Sequence, residues 1–148
     1  RQRPPGPAIN TKRYSSPTSQ HAALKLSQWL TKHTSHHSIR VARRQNYNHW
    51  LEGISGTTGI TPLFPDLPDQ VTPYAFPLLG DNEGLVFHLL KLAGIPLWRW
   101  EDMAVTECPV ANDYRLRLLQ LPCHQGLNLD QIKWMCDSIK ILMQEVYG

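Results

Sequence analysis

The sequence predicts an α+β domain in which helices cover one face of a small sheet, and three observations support this fold class. The chain has 148 residues, which is room for one domain and a short appendage. Apolar residues make up 41% of it, enough to form a core. Helical and extended patterns follow in the order helix, helix, strand, strand, helix, strand, helix, helix, which is typical of helices packed on one side of a sheet.

Residues 1–17 are rich in proline, serine and arginine and predict an extended linker, which leaves residues 18–148 for the folded domain. The chain begins with Arg1 rather than Met, and we interpret this as a sign of processing or of a fragment of a longer protein. No apolar run reaches the length of a membrane span, so a transmembrane segment is not expected.

Two helices are expected first. One begins at a cap, Ser16 or Ser19, and reaches about Lys32, and the other covers Ser35–Leu51 and ends at Gly53. Helical spacing predicts the inner face of each. These faces are Ala22, Ala23, Leu26, Trp29 and Leu30 on the first helix, and Ile39, Ala42, Asn46 or Tyr47, Trp50 and Leu51 on the second.

Two short strands are expected next, over Ile60–Phe64 and Tyr74–Leu79, joined by a proline-rich turn. Pro73 and Pro77 have no amide hydrogen to donate. The second strand is therefore expected either at a sheet edge or with a bulge.

The following segments alternate between helix and strand. A helix is expected from a cap at Asp81 to Ala93, followed by a strand over Ile95–Trp100. A further helix is expected over Val110–Leu119, and residues 121–126 are expected to form a loop.

The last helix has the strongest pattern. Asn128 and Gln131 form a capping-box-like pair at its start, and it is expected to reach Val146 and to pack across the sheet. Its apolar stripe consists of Leu129, Ile132, Met135, Cys136, Ile139, Leu142, Met143 and Val146.

The charge and the cysteines limit the function classes. Fifteen Lys and Arg residues against twelve Asp and Glu give a formal charge of +3, too mild for a strong polyanion binder. The three cysteines, Cys108, Cys123 and Cys136, are odd in number and widely spaced. They predict free thiols in a reducing cytoplasm.

No set of residues predicts catalysis or metal binding. His33, His36 and His37 lack a carboxylate or cysteine beside them, so we interpret them as solvated polar residues. Cys123 and His124 are neighbours in a loop and are expected to point in different directions. The glycines after the second helix neither follow a strand nor precede a helix, as a dinucleotide-binding loop would require.

Two basic and aromatic segments allow two interpretations each. Arg40, Arg43 and Arg44 could belong to a nucleic-acid-binding helix, but an exposed basic face with inward-packed aromatic residues is favoured. In Trp98-Arg99-Trp100, strand alternation places both indoles on one face. This arrangement suits a sugar or nucleotide ligand, and core or interface packing explains it equally well.

Several segments together resemble one family. Arg43-Arg44-Gln45-Asn46-Tyr47 resembles the RRxNY signature of the DegT/DnrJ/EryC1/StrS aminotransferases. Four later segments follow in the order and spacing of that family, and the resemblance covers about Ser15–Val146. They are residues 60–65, residues 71–77, Gly94-Ile95-Pro96 and residues 119–127.

The resemblance implies the carboxy-terminal small domain of a fold-type I enzyme dependent on pyridoxal phosphate (PLP), whose large domain carries the cofactor lysine. The chain has six lysines, and none has the family's setting, so no catalytic, cofactor-binding or metal-binding residue carries over. The chain alone is expected to bind no PLP and to be inactive. Trp98–Met103 departs from the His-containing segment of many sugar aminotransferases, which leaves the substrate class open.

The resulting hypothesis is a fragment of an aminotransferase that acts on a keto-sugar or related ketone. The expected partners are its own large domain and a second copy of the parent in a homodimer, with no nucleic acid and no membrane. Trp98, Arg99 and Trp100 are the candidate substrate-binding residues. One alternative is a stand-alone, non-catalytic binding or interaction domain of the same architecture, and another is a weak nucleic-acid binder.

Overall fold

The computed structural model describes residues 24–82, 84–99 and 106–148, and the chain divides into two compact units. In the unit Arg1–Ser35, the described residues form one helix, α1 (Lys25–His33). This helix begins later than predicted. The predicted linker and the caps expected before α1 lie outside the described residues.

The second unit, His36–Gly148, contains the sheet. In chain order, its described elements are α2 (His36–Gly53), β1 (Ile60–Pro62), β2 (Ala75–Gly80), α3 (Leu85–Leu92), β3 (Trp98–Arg99), α4 (Pro109–Arg117), β4 (Leu118–Pro122) and α5 (Leu129–Tyr147). The four strands pair antiparallel in the order β1-β2-β4-β3. This confirms the predicted α+β class with a small sheet and packed helices.

The core lies between the central strands and the helices. Phe76 pairs with Leu121 and Leu78 with Leu119, and all four side chains are buried. The Phe76 ring meets Tyr47 and Trp50 of α2 at centroid distances of 4.8 and 5.7 Å. On α5, the buried residues of the same core are Ile132, Met135, Cys136, Ile139 and Met143.

The central strand β4 was not predicted. Its first residues were assigned to the preceding helix and its last to a loop, but α4 ends at Arg117 and the chain continues directly into the strand. Leu118, assigned to the helix, is a buried residue of β4. A short apolar run has no periodicity that separates a buried strand from a helix end.

Strand β2 is internal, and its registers with β1 and β4 are continuous, so neither of the two expectations for it, an edge position or a bulge, is met. It accommodates Pro77 because its pairing with β1 ends at the neighbouring pair, Pro62 and Leu78. The Pro77 carbonyl accepts a hydrogen bond from the Leu63 amide at 3.0 Å, and the amide and carbonyl of one strand residue point to the same neighbour. The missing donor of Pro77 therefore faces the segment beyond Pro62, where pairing with β1 has ended.

The ends of two helices test the capping predictions. α3 begins after Gly84, whose φ of 85° is left-handed, so the predicted cap at Asp81 is wrong. The capping box of α5 is confirmed, because Asn128 accepts from the Gln131 amide and Gln131 accepts from the Asn128 amide. Two positions of the predicted α5 stripe, Leu129 and Val146, are exposed.

Candidate functional site

The polar residues of α2 donate to carbonyl groups in segments that contain prolines. The Asn46 amide donates to the His124 carbonyl at 2.8 Å, and the Tyr47 hydroxyl donates to the Phe64 carbonyl at 2.7 Å. The Trp50 indole donates to the Pro122 carbonyl at 2.9 Å. A proline removes one amide donor from its segment, so side-chain donors supply these hydrogen bonds instead.

Three arginines of α2 hold the chain between β1 and β2. Arg44 donates to the carbonyls of Pro68 at 2.7 Å and Val71 at 2.8 Å. Arg40 donates to the Asp69 carbonyl. Arg43 donates to the Pro73 carbonyl at 3.2 Å and to Gln125 Oε1 at 2.9 Å. The predicted basic face is therefore largely engaged with the chain's own loops.

A cavity of about 580 Å³ opens between the ends of β2, β3 and β4 and the loop after β4. Two guanidinium groups, two exposed aromatic rings and an imidazole are among its lining groups, and none of the described residues that line it carries a carboxylate. The lining residues include Arg43, Tyr74, Trp98, Arg99, Gln120 and His124.

The structure places two of the three predicted site residues at this cavity. Trp98 is 63% exposed, and Lys91 Nζ lies 5.8 Å from its ring. Arg99 is half-buried, and its guanidinium carbon lies 4.6 Å from the Phe87 ring centroid, which is a cation–π contact with α3. Trp100 lies outside the described residues.

Cys123 and His124 point in different directions, as predicted. The Cys123 thiol is buried and donates to the Arg43 carbonyl at 3.3 Å. Burial raises its pKa to about 12, and the Arg43 guanidinium opposes this rise. His124 is exposed and accepts from the Gly126 amide through Nδ1. The thiol is protonated at neutral pH and binds a carbonyl rather than the His124 imidazole, which does not fit an activated nucleophile.

The described residues do not fit a complete PLP site. Attachment of the cofactor requires a lysine held beside the ring in enclosed surroundings. The five described lysines, Lys25, Lys32, Lys91, Lys133 and Lys140, are all exposed. We therefore derive no chemical step through the cofactor on this chain.

The described residues hold neither a metal-binding cluster nor a helix that could cross a membrane. No group of three His, Cys, Asp or Glu side chains in residues 24–82, 84–99 and 106–148 could hold a metal ion. His33, His36 and His37 are exposed, in agreement with their interpretation as solvated residues. Within those ranges, every helix is too short or too polar to span a bilayer.

Several cavity residues were not predicted from the sequence. Tyr74 was assigned only to a strand, Gln120 to the segment between helix and loop, and His124 to a loop. Arg43 was part of the resemblance, but nothing in its spacing indicated a place at a cavity. The only available signal was the coincidence of a motif arginine with two proline-flanked segments, Pro73-Tyr74 and Pro122-Cys123-His124.

Comparison with known proteins identifies the fold. No protein family model matches the chain, and no curated protein matches it. Solved structures do match. One is PseC of Helicobacter pylori, an aminotransferase involved in the biosynthesis of pseudoaminic acid, with 19% identity and a TM-score of 0.61 over 72% of this chain and 33% of that one.

Two other solved structures match to the same degree. DesI, determined in the presence of its TDP-sugar product, has 15% identity and a TM-score of 0.62 over 73% of this chain and 32% of that one. Spr1654 of Streptococcus pneumoniae, described as a sugar aminotransferase and determined in its PLP form, has 16% identity and a TM-score of 0.61 over 75% and 33%. The chain shares its fold with part of these proteins. It spans about a third of their length.

Proposed function

We propose that the chain is the carboxy-terminal small domain of a PLP-dependent aminotransferase of the DegT/DnrJ/EryC1/StrS family, and that the parent transfers an amino group to a keto-sugar or related ketone. The observation that carries this proposal is the shared fold, which covers about three quarters of this chain and one third of sugar aminotransferases. The family-like residues of α2 support it independently, because Arg43, Arg44, Asn46 and Tyr47 all bind segments that also carry the resemblance.

The small domain's share of the reaction is to hold the substrate. PLP, when bound to the parent, supplies an electron sink for the amino transfer. We assign substrate contact to Trp98, Arg99 and Trp100. The exposed indole of Trp98 can stack on a sugar or base ring, and a guanidinium can bind phosphate through two hydrogen bonds. The guanidinium groups of Arg43 and Arg99 in the cavity lining support an anionic substrate there.

The proposal includes the partners and the compartment. The large domain of the same parent chain supplies the cofactor lysine, and the parent forms a homodimer. Free thiols at Cys108, Cys123 and Cys136 support a reducing cytoplasm. Neither nucleic acid nor a membrane is a proposed partner, since the arginines of α2 already bind loop carbonyls.

The first test is the coding sequence upstream of Arg1, followed by an assay of the encoded parent with glutamate and a nucleotide-linked keto-sugar. An upstream domain with a cofactor lysine and transaminase activity supports the proposal. A start codon near Arg1 and a stable, inactive 148-residue protein would instead support a stand-alone binding domain.

Arg99→Ala in the parent tests the substrate contact. We expect kcat/KM to fall about tenfold or more with little change in melting temperature. The cation–π contact with Phe87 offers a packing role as the rival, and Phe87→Leu is the matched control because it removes the ring and keeps the guanidinium. If both variants lose stability and the remaining folded enzyme has normal kcat/KM, the assignment of Arg99 to the substrate is wrong.

A further inference from the structure

One wall of the cavity is formed by α2 together with the loop after β4. Arg43 and His124 both line the cavity from this wall. The Asn46 amide donates to the His124 carbonyl at 2.8 Å, and Arg43 Nε donates to Gln125 Oε1 at 2.9 Å. These hydrogen bonds fix the loop on the helix, so the guanidinium and the imidazole are held on the same side of the cavity.

The imidazole of His124 has a defined tautomer. Its Nδ1 accepts a hydrogen bond from the Gly126 amide at 3.2 Å, so the proton of the neutral ring lies on Nε2. Nε2 is on the opposite side of the ring and has no hydrogen-bond partner among the described residues. The exposed ring therefore offers an N–H donor to the cavity.

Arg43 brings a positive charge and further donors to the same wall. Its Nε binds Gln125, and its Nη1 binds the Pro73 carbonyl at 3.2 Å. A guanidinium has more N–H groups than these two hydrogen bonds use, and those groups can donate to a ligand. A cation beside several N–H donors is the arrangement that binds a carboxylate or phosphate.

We infer that Arg43 and the Nε2–H group of His124 form an oxyanion subsite, which binds one carboxylate or phosphate group of a substrate. The inference rests on the proposed function, which supplies the substrate, and it adds two contacts to those of Trp98 and Arg99. β4 links the two sets. Trp98 pairs with Gln120, and His124 follows four residues later, at most about 14 Å along the chain.

Two variants of His124 in the parent separate binding from structure. His124→Asn keeps an acceptor for the Gly126 amide, because an asparagine side chain bonds the backbone amide two residues on, but it has no group at the Nε2 position. We expect KM for the substrate bound there to rise about tenfold, with little change in kcat or melting temperature. His124→Gln places an amide donor near the Nε2 position and should recover most of this loss. His88→Asn is the matched control, because His88 is exposed on α3, and it should leave KM unchanged.

The affected substrate identifies the oxyanion. A higher KM for glutamate supports a carboxylate of the amino donor, and a higher KM for a nucleotide-linked keto-sugar supports a phosphate. If the parent is an active transaminase and His124→Asn leaves both KM values unchanged, the inference is wrong and the proposed function stands.

NMR of the 148-residue chain tests the subsite without the activity of the parent. Two-bond correlations between the ring protons and the ring nitrogens should show the Nε2–H form of His124, and inorganic phosphate or glutarate should shift these signals to saturation. Arg43→Gln should weaken the binding of both anions about fivefold or more while the Nε2–H form persists.

The NMR outcomes are independent of the proposed function. The Nδ1–H form of His124, or signals that neither anion shifts, would contradict the subsite whatever the parent catalyses. An upstream sequence without an aminotransferase domain overturns the proposed function, and saturable shifts of His124 would then still support an oxyanion subsite.

Discussion

Helices α1 and α2 carry similar apolar spacing, but only one of them is buried. On α2, Asn46, Tyr47 and Trp50 are buried against the sheet and its loops, whereas every residue of α1 is exposed. The apolar face of α2 also carries polar donors, because Asn46, Tyr47 and Trp50 each donate to a backbone carbonyl of a segment that packs against the helix. Apolar periodicity predicts which face of a helix can pack against the rest of the chain. The hydrogen bonds of the polar side chains beside that face then select the segment against which it packs.

The largest expected effect compares two tryptophans. Trp50→Ala removes a fully buried ring and its hydrogen bond to Pro122, and should lower the free energy of unfolding by about 3–5 kcal/mol. Trp29→Ala in the isolated chain should change it by less than about 0.5 kcal/mol, because Trp29 is exposed. Urea denaturation of both variants measures this. Equal losses would show that α1 contributes to the same core as α2.

The second prediction concerns the cations of the two helices. Arg44→Ala leaves three carbonyls of the loop between β1 and β2 without their donor, and should cost about 1–3 kcal/mol. Limited proteolysis should show faster cleavage within residues 65–72. Lys32→Ala, on the exposed α1, serves as the control, and similar cleavage rates in both variants would contradict a holding role for Arg44.

The smallest expected effect concerns pH, through the thiol that binds α2. Burial raises the pKa of Cys123 from 9.0 to about 12, so the folded state favours the protonated thiol. Its contribution to stability is complete below pH 9 and is lost as the pH rises from 9 towards 12. Cys123→Ala should therefore reduce the loss of free energy of unfolding between about pH 8 and 10.5, as measured by urea denaturation.

The pH dependence of the free energy of unfolding should be reduced only in part, because burial also raises the pKa of Cys136 and of Tyr47. Cys108→Ser is the control, since Cys108 is exposed, and it should leave the slope unchanged. Identical pH profiles for the Cys123 and Cys108 variants would contradict the assigned cause.

The sequence predicted elements that carry a local signal. The capping box at Asn128, the α5 stripe and the span of α2 needed only neighbouring residues. Strand β4 forms by pairing with β2 and β3, which lie elsewhere in the sequence. No local pattern in Leu118-Leu119-Gln120-Leu121-Pro122 predicts that pairing.

The sequence predicted only some of the residues that line the candidate site. Trp98 and Arg99 stood out through their unusual composition, and the structure places them at the cavity. Arg43 and His124 reach the same cavity from α2 and from the loop after β4. Their meeting is a product of tertiary packing, which spacing along one segment cannot show.

The two outer strands of the sheet determine how the protein can associate with itself. β1 has three residues and ends in Pro62, and the described part of β3 has two residues, so within the described residues neither outer strand offers a long row of unpaired amides and carbonyls. Short outer strands and proline are the features by which natural sheets avoid adding a strand from another molecule. Assemblies of this chain should therefore be held by side chains rather than by added strands, and they should not bind amyloid dyes.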